Sequence, residues 1–231
     1  MTLHTERITL KINIAIDGPA GSGKSTVASL VAEELGYLYI DTGAMYRRLR
    51  IKQLMKLSHL KKEACNYTVM DFKLSDEGNQ MLVNEELLGE EIRTREVTSH
   101  VSEVSAHRLI REAMVKKQQQ LATEKGVVLD GRDIGTFVLP DAELKIYLFA
   151  TATERANRRH QENVQKGIES SFEEIYNDLI ERDRYDTSRA YAPLKQADDA
   201  EPLDTTNLTI TEVIETIVTR ARLKEIETND L

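Results

Sequence analysis

The chain has little of several things, and each shortage closes off a class of protein. One cysteine, Cys65, stands among 231 residues, so no disulfide can form within it. That usage suits a reducing compartment, and a cytoplasmic location is expected. Cys65 itself reads as a small half-buried hydrophobe. No apolar run approaches the ~20 residues that span a bilayer. Met1 to Lys11 is polar and mixed in charge, which does not read as a secretory signal. Basic residues are outnumbered, with 31 Lys and Arg against 39 Asp and Glu and a net charge of −8. An acidic body lacks the broad basic surface that sequence-independent nucleic-acid binding draws on. There is no internal repeat and no low-complexity tract.

What is present is an ordinary composition, 40% apolar with 5% aromatics, enough for one substantial core with an inserted subdomain. The arginines gather in a few segments: Arg47 and Arg48, Arg132, then Arg155, Arg158 and Arg159, then Arg182, Arg184 and Arg189. Focused positive charge on an acidic body points to a phosphate pocket.

Ile12 to Ile16 is an apolar strand signal interrupted only by Asn13. A glycine-rich turn follows, then a helical pattern from Ser25 to about Leu35, with Gly36 placed to cap it. Tyr37 to Ile40 reads as a second strand, and Ala44 to about Leu60 as a helix. From Asp71 to Leu88 the pattern changes to short strand-like pieces. The polar turn Ser75-Asp76-Glu77-Gly78-Asn79 separates the first two, as in a small antiparallel insert. Glu96 to about Lys125 reads as helical, Val127 to Asp130 and Leu144 to Phe149 as core strands. Helices are predicted at Thr153–Gln165 and Phe172–Arg182. A short strand at Pro202–Asp204 and a helix from about Thr211 to Ile226 end the chain. Strands alternating with helices give a mostly parallel sheet covered on both faces. Ligands of such sheets bind beyond the carboxyl ends of the strands. Asp17, Asp41, Asp130 and Asp204 all fall there.

Gly18-Pro19-Ala20-Gly21-Ser22-Gly23-Lys24-Ser25 matches G-x-x-x-x-G-K-[ST] in full, between a strand and a helix. Glycines let backbone N–H groups wrap an anion, and the helix N-terminus adds favourable partial charge. Lys24 is expected to reach the β- and γ-phosphates of ATP, Thr26 to follow in the same loop, and Ser25 to ligate Mg²⁺. A GTPase would need a D-x-x-G switch and an [NT]-K-x-D guanine reader, and neither occurs. A large mechanical ATPase would normally be longer. A compact phosphotransferase remains, and it needs cations around both anionic substrates. Arg155, Arg158 and Arg159 share a helix face, as a solvated basic stripe also would. Arg182, Asp186 and Arg189 share one if their helix runs on, as would a surface ion-pair ladder. In Asp130-Gly131-Arg132-Asp133, Asp130 at a strand tip could hold Mg²⁺-bound water, and Arg132 could clamp an acceptor phosphate in a bidentate fork. His100 and His107 have no third partner at metal-ligand spacing and read as structural or surface residues.

These motifs resemble the bacterial cytidylate kinases. The resemblance rests on Ile14 to Ser25, Asp41-Thr42-Gly43-Ala44-Met45-Tyr46-Arg47, Glu91-Ile92-Arg93-Thr94, Val128 to Thr136, Glu181-Arg182-Asp183, Ala192-Pro193-Leu194 and Asp204-Thr205-Thr206. It spans about Ile12 to Val213. It implies a P-loop core with a five-stranded parallel sheet (1–62, 98–154 and 168–231), a monophosphate-binding insert (63–97) and a helical lid (155–167). It also implies a monomer that uses ATP and Mg²⁺ to phosphorylate CMP or dCMP. By the same resemblance Arg47, Arg132 and Arg189 hold the CMP phosphate, and Thr42 also contacts CMP. Ser102, Arg111 and Asp133 read the cytosine edge, and Arg182 and Asp186 contact the sugar. Lys24, Arg132, Arg155, Arg158 and Arg159 serve catalysis, the last three by closing over the γ-phosphate and excluding water. Two features stand apart. Tyr185 replaces what is often a more polar residue. Ser102 and Arg111 are nine residues apart, opposite faces of one straight helix, so both reach one base only if that helix breaks near Ala106-His107, where no Pro or Gly marks a break.

Overall fold

The computed structural model describes residues 10–55, 72–75, 78–83, 86–87, 89, 92 and 94–230. Cys65, Asp76, Glu77, Glu91, Arg93 and the far end of the helix expected to reach Leu60 lie outside the described residues. The elements run β1 (Asn13–Asp17), α1 (Lys24–Leu35), β2 (Leu38–Asp41), α2 (Thr42–Met55), β3 (Phe72–Ser75), β4 (Gly78–Val83), β5 (Glu86–Leu87), α3 (Arg95–Ala106) and α4 (Arg108–Leu121). They continue with β6 (Val127–Gly131), a π-helical turn (Ile134–Val138), β7 (Leu144–Phe149), α5 (Ala152–Gln165), α6 (Phe172–Ser188), β8 (Glu201–Asp204) and α7 (Ile210–Asn229).

Five strands pair in the order β2-β6-β1-β7-β8, every pair parallel. All five residues of β1 are buried, as a central strand covered on both faces requires. Side-chain alternation divides it. Ile14 and Ile16 join Val27, Ala28 and Val31 of α1 and Ile217, Val218 and Ala221 of α7. Ala15 faces the other way, into a cluster with Ile40, Leu129, Met114 and Val115. Each fully buried aliphatic side chain of this size contributes about 1.5–3 kcal/mol, so the two clusters fix the sheet between its helix layers. Pairing is level at the carboxyl ends: Asp17 lies opposite Gly131, Asp41 opposite Asp130, and Phe149 opposite Asp204. The four strand-end aspartates thus stand along one rim. A separate three-stranded antiparallel sheet, β3-β4-β5, lies in the chain between α2 and α3.

The helix expected over Glu96–Lys125 is two helices. His107 interrupts it with extended dihedrals, φ −72° and ψ 115°. The cause is a side chain. The Ser105 carbonyl, which a continuous helix would spend on a backbone N–H four residues on, accepts instead from Nε of Arg111 at 2.9 Å. Ser105 also donates its hydroxyl back to the Ser102 carbonyl at 3.1 Å, a contact that loosens helices. His107 itself is exposed. Helix α6 departs in the other direction, running to Ser188 rather than Arg182, so that Arg182 and Asp186 do share a face while Arg189 caps its end.

The turn Ile134–Val138 was not foreshadowed by any local pattern. The Asp17 carboxylate organises it, accepting from the backbone N–H of Ile134 at 2.8 Å and of Gly135 at 2.7 Å. Burial pushes the Asp17 carboxyl up to about 7, against the lowering pull of those two donors. Between about pH 4 and 7 the folded chain therefore keeps a proton that the unfolded chain has released. This residue's contribution to stability is fullest on the acid side and is lost as pH rises through 7. Asp17→Asn should flatten that slope in denaturant titrations run from pH 5 to 8. It should also cost about 1–3 kcal/mol, because an amide can serve only one of the two buried N–H groups. A slope identical to the parent's would show that Asp17 does not titrate there.

Candidate active site

Between β1 and α1 the glycine-rich loop turns over the rim. Gly18 has φ +152°, and a Cβ there would lie 1.9 Å from the Leu148 carbonyl oxygen, so only glycine lets the loop pass β7 this closely. Gly23 has φ +85°, and a Cβ there would meet nothing within 4 Å. The N-terminus of α1 has no side-chain cap and no acidic residue in its first turn, which leaves its N–H groups and dipole to an anion. Lys24 is buried, its ammonium donating to the Pro19 carbonyl at 2.6 Å and to Ser22 Oγ at 3.2 Å. Burial and the nearby Arg132 lower its pKa well below the usual lysine value.

Across the loop, Ser25 donates its hydroxyl to Asp130 at 2.8 Å, and Tyr39 donates to the other carboxylate oxygen at 3.0 Å. Asp130 is buried and lies beside Asp41; burial and that second carboxylate push it up to about 6. A serine hydroxyl against a carboxylate, with excess negative charge close by, is the hard oxygen set that Mg²⁺ takes when substrate phosphates and water complete its shell. Among the described residues no group of three or more His, Cys, Asp or Glu could hold a metal alone.

The second cluster is built from α2, α3, α4, β6 and α6. Arg111 and Asp133 form a buried pair at 2.6 Å, their side chains 3% and 6% exposed. Arg132 donates Nε to Asp186 at 3.0 Å. Ser102 donates to the other oxygen of Asp186 at 3.2 Å. Arg189 donates to Ser105 Oγ at 3.1 Å and to the Asp186 carbonyl at 3.2 Å. Arg47 pairs with Asp41 at 2.8 Å, and Thr42 donates to the Asp130 carbonyl at 2.6 Å. The break at His107 thus does bring Ser102 and Arg111 into one network, through Ser105 and Asp186. Buried nitrogens of Arg47 (Nε), Arg182 (Nε) and Arg189 (Nη2) have no hydrogen-bond partner among the described residues. Burial and the like charge of Arg132 bring Arg182 down to about 10, so it stays protonated at neutral pH. Burial alone would raise Asp186, but Arg132, Arg189 and Arg182 outweigh it and hold its carboxyl below the ordinary range. Protonated guanidinium groups crowded together with unpaired N–H atoms make a site that an oxyanion would neutralise.

The three arginines expected to act together are not alike. Arg155 is buried, donating to the carbonyls of Ala150 (3.1 Å) and Ala20 (2.5 Å) and pairing with Asp183 at 2.6 Å. Arg158 pairs with Glu154 at 2.8 Å and also donates to the Thr205 carbonyl and hydroxyl. Arg159 is exposed and pairs with Glu162 at 3.0 Å. In this structure Arg155 braces the glycine-rich loop, and Arg158 ties α5 to the segment after β8. Asp204, though on the rim, is exposed and folds back on Thr206.

Sequence reasoning assigned no role to Tyr39, Tyr46, Ser105 or Asp183, although Tyr46 and Asp183 stand in motifs that carry the resemblance. Asp183 accepts from the backbone N–H of Ala20 at 2.7 Å while holding Arg155. The signal for it was its place in the Glu181-Arg182-Asp183 motif.

Comparison with known proteins shows the family. The family model described as cytidylate kinase matches residues 14–223. The cytidylate kinase of Bacillus cereus (strain B4264) is 49% identical over 213 residues, 90% of this chain and 95% of its own. That of Anoxybacillus flavithermus (strain DSM 21510 / WK1) is 51% identical over the same shares. Among solved structures, an uncharacterized protein from Eubacterium ventriosum ATCC 27560 superposes with a TM-score of 0.53 at 14% identity, covering 92% of this chain and 99% of its own, a likeness of fold alone.

Proposed function

The chain belongs to the cytidylate kinase family, and on that premise we propose that it transfers the γ-phosphoryl group of ATP to CMP or dCMP, giving CDP or dCDP. The observation that carries this reading is the pairing of two anion sites on one rim: the glycine-rich loop with Lys24, and the arginine cluster with unpaired buried nitrogens on Arg47, Arg182 and Arg189.

Gly18 to Thr26 bind the ATP phosphates, with Lys24 on the β- and γ-groups. Ser25 and Asp130 would hold Mg²⁺, which would neutralise charge on the phosphates. Arg47, Arg132 and Arg189 hold the acceptor phosphate, Arg182 and Asp186 the sugar, and Thr42 also contacts CMP. The acceptor is already an oxyanion, so no side chain has to remove a proton. The work is alignment and charge neutralisation. Arg111 and Ser102 donate to O2 and N3 of cytosine, and Asp133 accepts from its exocyclic amine. Uracil would set a carbonyl against that carboxylate, a repulsion as well as a lost bond. Among the lid arginines, Arg159 is exposed and gives up only its surface pair with Glu162 to turn toward the γ-phosphate. Arg158 and Arg155 reach it only by giving up their present partners.

A coupled assay of ADP formation with ATP and Mg²⁺, run against CMP, dCMP, UMP, AMP and GMP, tests the proposal. Fast turnover confined to CMP and dCMP is the expected result. Fast turnover with another monophosphate would keep the phosphotransfer and discard the cytosine pocket.

A further inference from the structure

Tyr46 is the buried polar group that the proposed mechanism leaves without work. It sits in the first turns of α2, one residue before Arg47 and one helical turn after Thr42. Its side chain is sunk among apolar neighbours, with the residue only 6% exposed, yet its hydroxyl has no hydrogen-bond partner among the described residues. Packing does not account for the hydroxyl, because phenylalanine would fill the same space without stranding a donor. The surroundings say what it faces. The guanidinium of Arg111 lies over its ring, 5.4 Å from the centroid. The charges acting most strongly on the hydroxyl are, in order, Arg111, Asp133 and Arg189. Those are groups of the acceptor cluster. Burial keeps the phenol protonated far above neutral pH, so it is a donor.

We propose that Tyr46 is a further acceptor-binding residue, its hydroxyl donating a hydrogen bond to an acceptor oxygen of the bound nucleoside monophosphate. That oxygen belongs to the phosphate or to the carbonyl of the base, two sources of one chemistry. The unpartnered donor is retained because substrate completes it. The inference rests on the reading that this cluster binds CMP.

Tyr46→Phe tests it. Melting temperature without ligand, calorimetric Kd for CMP and Kd for MgATP are measured for parent and variant. The expected result is a variant at least as stable as the parent without ligand, a Kd for CMP raised roughly 10-fold, and a Kd for MgATP unchanged. Competition by ribose 5-phosphate, which keeps the phosphate and lacks the base, locates the oxygen. A weakening equal to that for CMP assigns it to the phosphate, and weakening of CMP alone assigns it to the base. An unchanged Kd for CMP overturns the proposal. So does a variant less stable without ligand, since the hydroxyl would then have a partner within the protein. Failure of the parent itself to bind CMP would overturn the functional reading, and this inference with it.

Discussion

Replacing Lys24 by alanine is expected to lower kcat by roughly 10³-fold while leaving the fold intact, the size of effect seen when one preorganised charge at a developing oxyanion is removed. The structure separates the two halves of that expectation. Lys24 is fully inside the loop, its ammonium tethered to Pro19 and Ser22. No other ammonium lies within that turn. Its pKa is depressed, by burial and then by Arg132. A cation whose charged form is disfavoured by folding costs stability at neutral pH, so its removal should leave the melting temperature unchanged or higher. Loss of activity with gain of stability is the mark of a residue held in place for chemistry. Activity within tenfold of the parent would sink the assignment of the glycine-rich loop as the ATP site.

The second large effect is on choice of acceptor. Asp133→Asn should cut kcat/KM for CMP and narrow the ratio of CMP to UMP use by about 10²-fold, because an amide can turn either its carbonyl or its NH₂ to the base. The change has a structural cost as well. Asp133 neutralises Arg111 at 2.6 Å in a site closed to water, and breaking a buried pair outright costs about 3–5 kcal/mol. Asparagine keeps an oxygen for Arg111, so the loss should fall below that range, whereas alanine should approach it. Unfolding curves of both variants, beside rates with both monophosphates, distinguish a damaged fold from altered base reading. Equal proportional losses for CMP and UMP would remove Asp133 as the reader of the base.

The features legible in the sequence are those written locally. Strand β1, the glycine loop and α1 follow one another within two dozen residues, and each has its own pattern: apolar run, G-x-x-x-x-G-K-S, amphipathic helix. The strand-end positions of Asp17, Asp41 and Asp130 follow from the same reading. What could not be read depends on partners distant along the chain. The interruption at His107 has no breaker residue; it exists because the side chain of Arg111 folds back onto the Ser105 carbonyl. The π-helical turn is held by Asp17, on a strand more than a hundred residues earlier. Helical spacing put Arg155, Arg158 and Arg159 on one face, but it could not say that Asp183 captures the first and Thr205 the second.

Helix α6 carries Arg182, Asp183 and Asp186 in little more than one turn. Arg182 and Asp186 belong to the acceptor cluster, while Asp183 holds the Ala20 N–H of the phosphate loop and the base of α5 through Arg155. Consecutive helical residues are fixed about 100° apart, so no adjustment of α6 can re-aim Arg182 without dragging on the loop. For anyone seeking to redesign the enzyme for a new acceptor, this helix is the wrong place to begin. Ser102, Arg111 and Asp133, the residues proposed to read the base, ride on α3, α4 and the end of β6, so changes there leave the mounting of the donor loop as it is.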